Sequence, residues 1–320
     1  MTRRVAVTGG CGFVGSHLAD RLLAEGHDVV IVDNMSTGQM PFAERALAHP
    51  NTQFARIDIK DLDAVVDAFK GCDEVYHLAA NADVRQGPDH PRRDLDENTI
   101  ATFNVLEAMR RCGIKTVGFS STGSVYGEAK VIPTPEDAPF PIQTSLYGAS
   151  KLAGEGLIGA YAEAYGFRAT IFRFVSILGE RYSHGHVFDF YRALLKNPNE
   201  LHVLGNGKQR KSYLYVQDCV DAILMAMQSA PQGTGIYNLG QNEYCEVNDS
   251  IGWITNHLGL KPALIYSGGE RGWIGDNPFI FLDCARMRSL GWTPRLSIKD
   301  SVLRTLDYLR DNHWLLESRS

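Results

Sequence analysis

Tyr147 and Lys151 are the two residues of this chain best suited to chemistry, because they stand four apart in a segment predicted to be helical. Side chains at this spacing share a helical face, with Cβ atoms about 5–6 Å apart. An ammonium at that distance favours the phenolate of a tyrosine, whose ordinary pKa is about 10. The pair is therefore predicted to act as one acid/base unit, with Tyr147 as a usable base near neutral pH. A lone Tyr-x-x-x-Lys also occurs in many exposed helices, so its weight depends on the rest of the chain.

A glycine-rich turn near the start of the chain supports this interpretation. It follows the apolar run 5–7, contains both Gly10-x-Gly12-x-x-Gly15 and Gly9-x-x-Gly12-x-x-Gly15, and opens into a helical pattern. In such a strand–turn–helix unit the glycines allow a tight turn and a close approach of the backbone to a pyrophosphate. The free N–H groups at the start of the helix face the phosphate charge. This order predicts a dinucleotide site.

A second predicted strand, 28–32, ends at Asp33. A carboxylate about 20 residues beyond the glycine motif accepts hydrogen bonds from the adenosine ribose and repels a 2′-phosphate. No arginine follows it immediately, so the sequence favours NAD over NADP as the cofactor. The alternative is that Asp33 is a solvated turn residue before Asn34.

The composition is that of an ordinary globular protein, with 320 residues, 44% of them hydrophobic, and a formal charge of −5. Such a charge gives no general attraction to nucleic acid or to an anionic membrane. The longest apolar runs are also too short to cross a bilayer. We therefore expect neither nucleic acid nor membrane as a partner. A chain of this length is able to bury a large core in one or two domains.

Six dispersed cysteines show no CxxC pair and no metal-ligand spacing, so we expect free thiols in a reducing cytoplasm and no metal site. The first predicted strand begins at Val5, and we expect no signal peptide before it. Cys11 lies inside the glycine turn, where a small residue is tolerated, and we do not expect catalysis by its thiol. The nearest approach to a metal cluster is His184-Gly185-His186, which we interpret as a loop near substrate or solvent.

Strand and helix candidates alternate along the first half of the chain, which predicts a parallel sheet covered by helices. After Asp33 they are strand 53–57, helix 61–69, strand 74–78, helix 98–111, strand 116–120, helix 147–165 and strand 168–174. The predicted fold class is therefore α/β, a doubly wound parallel sheet of the Rossmann type. We assign residues 1–175 to an NAD-binding domain and 176–320 mainly to a smaller, loop-rich substrate lobe. Residues 213–242 are expected to return to the first domain.

Three predicted strand ends carry small or polar residues, at Gly9, over 77–80 and over 120–122. In a doubly wound sheet ligands bind beyond the carboxyl ends of the strands, so we expect the site to lie across these three ends. Prolines at 133, 135, 139 and 141 argue against a helix between 128 and 143. That stretch is predicted to be a long loop that forms a wall of the site.

The order of these motifs resembles the extended short-chain dehydrogenase/reductase superfamily. Within it, the chain is similar to the NAD-dependent nucleotide-sugar epimerase/dehydratase family, and especially to enzymes of the UDP-glucose 4-epimerase type. The similarity runs almost end to end and includes, in the C-terminal half, residues 204–209, 213–218, 237–240 and 290–294. It implies a tightly bound NAD and a nucleotide-diphosphate sugar as substrate.

The resemblance also implies which residues contact the cofactor. They follow the glycine turn and the ends of the predicted strands, or lie on the helix with the acid/base pair: Gly9, Gly12, Phe13, Val14, Gly15, Asp33, Asn34, Asp58, Ile59, Leu78, Ala79, Ala80, Ser120, Tyr147 and Lys151.

The catalytic set implied by the resemblance is Tyr147, Lys151 and Thr122. Tyr147 would take a proton from a sugar hydroxyl while NAD⁺ accepts hydride from the same carbon, and Thr122 would hydrogen-bond the oxygen as it becomes a carbonyl. Lys151 would bind the nicotinamide ribose and lower the pKa of Tyr147. The Thr122 hydroxyl would otherwise tie down a strand end. Asn98 either supports the catalytic helix or caps the helix 99–111, and we leave it out of the catalytic set.

The residues after Thr122 favour epimerisation over elimination. A 4,6-dehydratase needs an acid and a base near carbons 5 and 6. By the family resemblance, dehydratases carry a Thr-Asp-Glu run at this place, and the nucleotide-sugar decarboxylases usually keep its Glu. Here the run is Thr122-Gly123-Ser124. A 4-epimerase needs neither carboxylate, because the 4-ketone rotates and the hydride returns to its other face. We therefore expect a 4-epimerase, with a dehydratase or another sugar-modifying dehydrogenase as alternatives and a non-catalytic NAD-binding sensor as an alternative of another class.

Candidate substrate contacts, besides Thr122, are Ser176, Lys211 and Arg271. By the resemblance, Arg271 would bind the diphosphate near a Gly-Asp pair, and Lys211 stands where many relatives have arginine; each is otherwise an exposed loop cation. Ser176 stands where epimerases commonly have asparagine. A lysine cannot reproduce the bidentate fork of arginine, so the sugar and the nucleotide stay open. UDP-glucose/UDP-galactose is the default, with UDP-glucuronate, UDP-N-acetylhexosamines and other nucleotide-linked hexoses or heptoses as alternatives.

A homodimer is implied by the same resemblance, since helices 98–111 and 147–165 correspond to those of a four-helix dimer interface in the family. The second helix carries Leu157, Ala160, Tyr161 and Ala164 at helical spacing. This stripe belongs either to the interface or to the surface that faces the chain's own sheet.

Overall fold

The computed structural model describes residues 2–84, 87–139 and 142–317. Strands and helices alternate through most of these ranges. The strands are β1 (Arg4–Thr8), β2 (Asp28–Val32), β3 (Thr52–Ala55), β4 (Glu74–His77), β5 (Thr116–Thr122), β6 (Arg168–Phe174), β7 (Ser176–Leu178), β8 (Glu200–Val203), β9 (Arg210–Lys211), β10 (Tyr213–Tyr215), β11 (Thr234–Leu239), β12 (Cys245–Glu246), β13 (Ala263–Tyr266) and β14 (Phe279–Ile280).

Helices cover both faces of the main sheet and build the C-terminal part. They are α1 (Phe13–Ala24), α2 (Met40–Leu47), α3 (Leu62–Phe69), α4 (Pro91–Asp94), α5 (Ala101–Cys112), α6 (Leu146–Tyr165), α7 (His186–Lys196), α8 (Val216–Ser229), α9 (Val247–Leu258), α10 (Ala285–Ser289), α11 (Ile298–Asp311) and α12 (Trp314–Glu317). A π-helical turn, Leu95–Ile100, precedes α5, and a 3-10 turn, Gly123–Tyr126, follows β5.

Seven of the described strands form one parallel sheet in the order β11-β6-β5-β4-β1-β2-β3. Its central strands β1 and β2 are nearly continuous apolar runs because helices cover both faces. One hydrophobic core packs α1 and α8 against the sheet, and a second packs α3, α5 and α6 against the other face. The predicted doubly wound α/β fold is confirmed. The strand order reverses between β1 and β4, which is where ligands bind in such sheets.

Local sequence accounts for the two helices closest to the expected site. α1 starts directly after Gly12 without a side-chain cap, so its first N–H groups are left for a ligand. α6 starts at the side chain of Ser145, which accepts a hydrogen bond from the N–H of Gly148, and ends at Gly166 in the left-handed conformation, with φ of 67°. The predicted helix 147–165 is confirmed.

Some predicted boundaries differ from the structure. Strand β5 continues to Thr122, two residues beyond its predicted end, because β6 pairs with it over that length. The helix predicted over 98–111 begins as the π-helical turn and becomes α-helical only at Ala101. Asn98 is therefore inside a helical segment and does not cap it.

The C-terminal half forms small sheets around a third hydrophobic core. These sheets are β10-β7, β12-β9-β14 and β13-β8. From residues 213–242, β11 joins the main sheet beside β6 whereas β10 pairs with β7. The division at residue 175 stays a prediction.

The stretch predicted as a site wall contains no helix among its described residues between 128 and 143. Phe140 and Pro141 lie outside the described residues. Thr134 makes a β-bridge with Leu282, so this loop is tied to the C-terminal half. In the described ranges, no helix is both long and apolar enough to span a bilayer.

Candidate active site

The glycine turn between β1 and α1 has the shape that a pyrophosphate requires. Gly9 has φ of +70°, and a Cβ added there would lie 2.8 Å from the backbone nitrogen of Ala79. A Cβ on Gly15 would lie 2.1 Å from the carbonyl oxygen of Gly9. The turn is closed by a 3.0 Å hydrogen bond from the N–H of Gly12 to the same oxygen. Larger residues at Gly9 or Gly15 would therefore collide with the backbone and distort the turn at the start of α1.

The first turn of α1 holds the predicted residues Phe13 and Val14. The ring of Phe13 packs edge-on against the ring of Tyr182, with centroids 5.7 Å apart. This contact connects the start of α1 with the loop that precedes α7. Both predicted residues thus lie at the cradle.

Asp33 stands at the end of β2 beside the glycine turn. Its carboxylate accepts hydrogen bonds from the N–H groups of Cys11 at 3.0 Å and Met35 at 2.8 Å. Burial raises the pKa of Asp33, and the two hydrogen bonds act in the opposite direction. Burial, together with the charge of Asp33, raises the pKa of the Cys11 thiol to about 12, which makes it a poor nucleophile.

Asn34 and Asp58 extend this corner of the site. The side chain of Asn34 donates a hydrogen bond to the carboxylate of Asp58 at 3.2 Å. Although burial alone would raise it, the pKa of Asp58 is lowered by hydrogen bonds from Lys60 and Asn34. Ile59 follows, buried, and its carbonyl oxygen accepts a hydrogen bond from Asn104 at 3.1 Å. These three residues, which were predicted to contact the cofactor, therefore lie together beside Asp33.

His77, the last residue of β4, ties the ends of three elements. Its ring nitrogens lie 2.8 Å from the hydroxyl of Thr8 and 3.0 Å from that of Thr102. Burial lowers the pKa of His77 to about 3, so the ring is neutral. The hydroxyl of Thr8 also accepts hydrogen bonds from the N–H groups of residues 78 and 79, both at 3.2 Å. The predicted segment 78–80 therefore lies beside the glycine turn.

Tyr147 and Thr122, which are 25 residues apart in the sequence, come together at the carboxyl end of β5. The pKa of the Tyr147 phenol is raised by burial and lowered by the nearby Thr122 hydroxyl. That hydroxyl in turn donates to the hydroxyl of Ser124 at 3.2 Å and accepts from its N–H at 3.1 Å. Ser120, two residues earlier on β5, donates to the carbonyl oxygen of His77 at 3.3 Å. The strand end thus presents a chain of hydroxyl groups to the tyrosine.

The pKa of Tyr147 differs from the prediction. Burial raises it to about 12, with the hydrogen bond from Thr122 lowering it and the charge of Asp94 raising it further. The expectation of a base near neutral pH is therefore wrong for the protein without its ligands, because the effect of burial on the phenol exceeds that of the Thr122 hydroxyl. The phenol is protonated in this state.

Lys151 lies one turn along α6 and is only 2% exposed. Its ammonium lies 4.4 Å from the centroid of the Phe119 ring. Burial lowers the pKa of Lys151 to about 7, and the charge of Glu155 acts against this. The predicted acid/base pair thus joins a buried lysine to a partly exposed tyrosine. At pH 7 the phenol is protonated and the lysine is about half protonated.

A polar cluster behind α6 was largely missed by sequence reasoning. The side chain of Asn98 donates to the hydroxyl of Ser150 at 2.9 Å and accepts from the N–H of Asn81 at 2.8 Å. Asn81 donates to the buried carboxylate of Asp94 at 2.9 Å. Of these residues the sequence analysis considered only Asn98, either as a support for α6 or as a helix cap. Its hydrogen bond to Ser150 on α6 agrees with the role of a support. The sequence feature that could have indicated this cluster is a polar residue, Asn98, inside a predicted amphipathic helix.

The predicted diphosphate contacts are already paired with acidic residues. The ammonium of Lys211 forms a 2.7 Å ion pair with Asp276 and also donates to the carbonyl oxygen of Asn277. Burial lowers the pKa of Lys211, and Asp276 opposes that shift. Arg271 forms an ion pair with Glu128. Sequence reasoning identified the Gly-Asp pair that contains Asp276, but it did not predict either ion pair.

The loop that carries Arg271 lies beside the start of α6. A Cβ added at Gly275 would be 2.9 Å from the carbonyl oxygen of Thr144, and the side chain of Asn277 donates to the carbonyl oxygen of Gly127. The loop is therefore placed near the end of β5. Ser176, the first residue of β7, has an exposed side chain. Among the described residues no cluster of three or more His, Cys, Asp or Glu side chains has a metal-binding arrangement.

Comparisons with known proteins agree with this geometry. The model of the NAD dependent epimerase/dehydratase family matches residues 5–240. A putative UDP-glucose 4-epimerase of Methanocaldococcus jannaschii is 34% identical, over 97% of this chain and 99% of its own length.

Two solved structures are similar over nearly the whole chain. A UDP-galactose 4-epimerase has a TM-score of 0.87 and 38% identity, covering 97% of this chain and 100% of that one. The UDP-glucuronic acid 4-epimerase of Bacillus cereus, in complex with UDP-glucuronic acid and NAD, has a TM-score of 0.89 and 26% identity, covering 97% and 99%. The match to the family model over residues 5–240 includes the glycine turn, Asp33, Thr122 and the Tyr147–Lys151 pair. This protein therefore belongs to the NAD dependent epimerase/dehydratase family.

Proposed function

We propose that the protein inverts C4 of a nucleotide-diphosphate sugar through a transient 4-keto sugar, with UDP-glucose and UDP-galactose as the first pair to test. The observation that carries this proposal is that Tyr147, Thr122 and the buried Lys151 meet at the carboxyl end of β5. The glycine cradle of β1 lies two strands away in the same sheet, at the same edge. Relatives named as UDP-sugar 4-epimerases support the choice of nucleotide.

The cofactor pocket fits NAD. The cradle formed by Gly9, Gly12 and Gly15 leaves no space for side chains, and helix α1 presents its first N–H groups to it. We propose that the carboxylate of Asp33, which lies beside the glycine turn, binds the adenosine ribose, and that Asn34, Asp58 and the segment 78–80 also contact the cofactor. When bound, NAD⁺ would supply a hydride acceptor and a positive charge.

Tyr147 is the residue that we propose to move the proton. It would accept the proton of the sugar's 4-hydroxyl and return it when the ketone is reduced on its other face. Protonated Lys151 would stabilise the phenolate, which offsets the burial that raises the pKa of Tyr147 to about 12. Thr122 would donate a hydrogen bond to the same sugar oxygen in place of its bond to Ser124.

The surroundings of Gly123 support epimerisation rather than elimination. A Cβ added there would lie 3.3 Å from both a methyl carbon of Ile280 and the carbonyl oxygen of Phe174, so a carboxylate side chain would require these neighbours to shift by a few tenths of an ångström. Ser124 offers only a hydroxyl. An acid and a base for removal of water are thus missing at these two positions.

For the diphosphate we propose Arg271 and Lys211. Arg271 would exchange Glu128 for phosphate, which is inexpensive because both side chains are about half exposed. Lys211 has three N–H groups, of which two are engaged with Asp276 and Asn277, so one remains for the substrate. Ser176 would contact the substrate from the start of β7, with a side chain shorter than the asparagine that epimerases commonly have there.

We also propose a homodimer through α5 and α6. Leu95, Ile100, Phe103 and Tyr165 are 48%, 45%, 40% and 44% exposed on these helices and the turn before them. The predicted stripe on α6 is divided, because Leu157 and Tyr161 pack against the chain's own core whereas Ala160 and Ala164 are exposed. Sedimentation should give a dimer that Phe103→Glu dissociates. Ile265→Glu, at an exposed site on β13, is the matched control and should leave the dimer intact.

The test of the reaction compares the wild type with Tyr147→Phe on the same substrates. NMR should show UDP-galactose forming from UDP-glucose without added cofactor, and the variant should lose about 10²–10⁴-fold in kcat while it retains NAD. Tyr165→Phe, an exposed tyrosine on the same helix, is the control and should keep full activity. An unchanged kcat in Tyr147→Phe would remove the proposed role of this phenol.

A further inference from the structure

A buried ionic network lies next to Lys151, on the part of α6 that follows it. Glu155, four residues further along the helix, is 6% exposed. One of its carboxylate oxygens accepts hydrogen bonds from Ser121 at 2.5 Å and from Nε of Arg173 at 3.0 Å, and the other accepts from Nη2 of Arg173 at 2.7 Å. Strands β5 and β6 thus hold both oxygens of this carboxylate.

Arg173 is fully buried and is itself held in a fixed orientation. Its Nη1 donates to the phenol oxygen of Tyr126 at 2.7 Å and to the carbonyl oxygen of Glu136 at 3.0 Å. Its guanidinium also lies 4.7 Å from the centroid of the Tyr126 ring. The guanidinium of Arg173 has little freedom to rotate because it has several hydrogen-bond partners. The carboxylate of Glu155 that binds it is therefore fixed as well.

Lys151 and Glu155 attract one another but do not form a direct ion pair. Their charges interact, yet no contact within 4 Å joins the ammonium to the carboxylate, and both residues lie in the described part of the chain. The oxygens of Glu155 are occupied by Arg173 and Ser121 instead. Among the described residues the Lys151 ammonium lies over the Phe119 ring without an ion-pair partner, so its N–H groups stay available for a cofactor.

The other titratable groups near Lys151 do not supply this negative charge. His77 on β4 is neutral because burial keeps its pKa far below neutral, and the Tyr147 phenol is protonated. Asp94 on α4 acts on Tyr147, whose pKa it raises. A buried ammonium without a nearby anion gives up its proton readily.

We propose that Glu155 is a positioning residue that keeps Lys151 protonated beside Tyr147, and that Arg173 and Ser121 hold its carboxylate so that it does not bind the ammonium directly. This inference rests on the acid/base role proposed above for Lys151. It adds a function to α6, in which Tyr147, Lys151 and Glu155 repeat every four residues. It also gives Arg173 a role besides the packing of β6 against α6.

The test uses three variants of the NAD-bound enzyme. Glu155→Gln keeps the shape and removes the charge, whereas Glu155→Asp keeps the charge. Glu155→Gln leaves the Arg173 charge buried without its partner, which could prevent folding. The double variant Glu155→Gln/Arg173→Met removes both charges and replaces the single variant in that case. For each folded variant, kcat/KM for the nucleotide sugar is measured between pH 6 and pH 10.

Activity that needs protonated Lys151 falls on the alkaline side. In Glu155→Gln we expect this fall to occur about one pH unit lower than in the wild type. In the double variant we expect a smaller shift in the same direction, because loss of the Arg173 charge acts in the opposite direction. Glu155→Asp should keep it near the wild-type position. A folded double variant whose alkaline fall coincides with that of the wild type would overturn the proposal, as would equal shifts in the Gln and Asp variants.

A second readout separates this inference from the proposed reaction. If the wild type converts no nucleotide sugar, the proposed function fails, but retention of bound NAD during dialysis between pH 6 and pH 10 still reports the charge of Lys151. NAD should then leave Glu155→Gln and the double variant at a lower pH than it leaves the wild type and Glu155→Asp. Equal retention by all of them at every pH would overturn the inference independently of turnover.

Discussion

Replacement of Lys151 by methionine should make the protein more stable while it removes the proposed activity. The ammonium is 2% exposed, and burial lowers its pKa from 10.5 to about 7. At about 1.4 kcal/mol per pH unit, this difference corresponds to about 5 kcal/mol against the folded protein at neutral pH. Methionine fills a similar volume and packs well on the ring of Phe119. We expect the free energy of unfolding at pH 7 to rise by about 2–5 kcal/mol.

The pH dependence identifies the cause. Below about pH 7 the lysine is protonated in both the folded and the unfolded chain, and the full cost is present. Between about pH 7 and 10.5 the folded protein holds the lysine neutral while the unfolded chain still binds the proton, so the cost declines and disappears near the upper value. The difference between variant and wild type should therefore be largest at pH 6–7 and small at pH 10.

The assay is denaturant unfolding at pH 6, 7, 8.5 and 10, followed by circular dichroism, on protein from which NAD has been removed, since NAD would stabilise the wild type selectively. Lys115→Met is the matched control, because this exposed lysine also lies over an aromatic ring, 5.5 Å from the centroid of Phe167. It should change stability by less than about 0.5 kcal/mol at every pH. A Lys151→Met variant that is no more stable than the wild type at pH 7, or that keeps its gain at pH 10, would refute the reasoning.

Three further outcomes follow from the site. Thr122→Val removes the hydroxyl that lies near the Tyr147 phenol and should lower kcat about 10–100-fold with unchanged NAD content. Thr122→Ser should recover most of this loss, and equal losses in both variants would contradict the proposed role of the hydroxyl. Asp33→Asn should shift the ratio of the NAD and NADP dissociation constants by about tenfold or more toward NADP, as measured by cofactor titration; an unchanged ratio would place Asp33 outside the ribose site. Gly123→Ala should reduce stability by about 1–3 kcal/mol in thermal unfolding, since its Cβ meets Ile280 and Phe174, and a neutral effect would reopen the question of a carboxylate there.

The parts of the fold that the sequence predicted are those that local patterns determine. The glycine turn, the apolar strands and α6 each depend on residues within one or two turns of each other, and their order along the chain indicated a doubly wound sheet. The spacing of Tyr147 and Lys151 is likewise a local property of a helix. For Thr122 the sequence alone gave a polar strand end, and the family resemblance supplied its role.

The missing features depend on contacts between distant segments. Burial by several elements raises the pKa of Tyr147, and no spacing along α6 encodes that. Lys211 meets Asp276, which lies 65 residues away, so its ion pair was not visible in the sequence. The π-helical turn at Leu95–Ile100 also depends on tertiary packing, in which Asn98 bonds to Ser150 on α6. Glu155 could have been predicted from the sequence, because it continues the four-residue spacing of Tyr147 and Lys151.

The transfer of hydrogen at C4 tests the proposed reaction most directly. The purified protein is incubated without added cofactor with UDP-glucose that carries deuterium at C4, and the product is analysed by NMR and mass spectrometry. We predict UDP-galactose that retains the deuterium at C4 and incorporates no solvent hydrogen, because the same hydrogen leaves and returns within one closed site. Loss of the deuterium to solvent, or formation of a 4-keto-6-deoxy sugar, would contradict C4 inversion by this site.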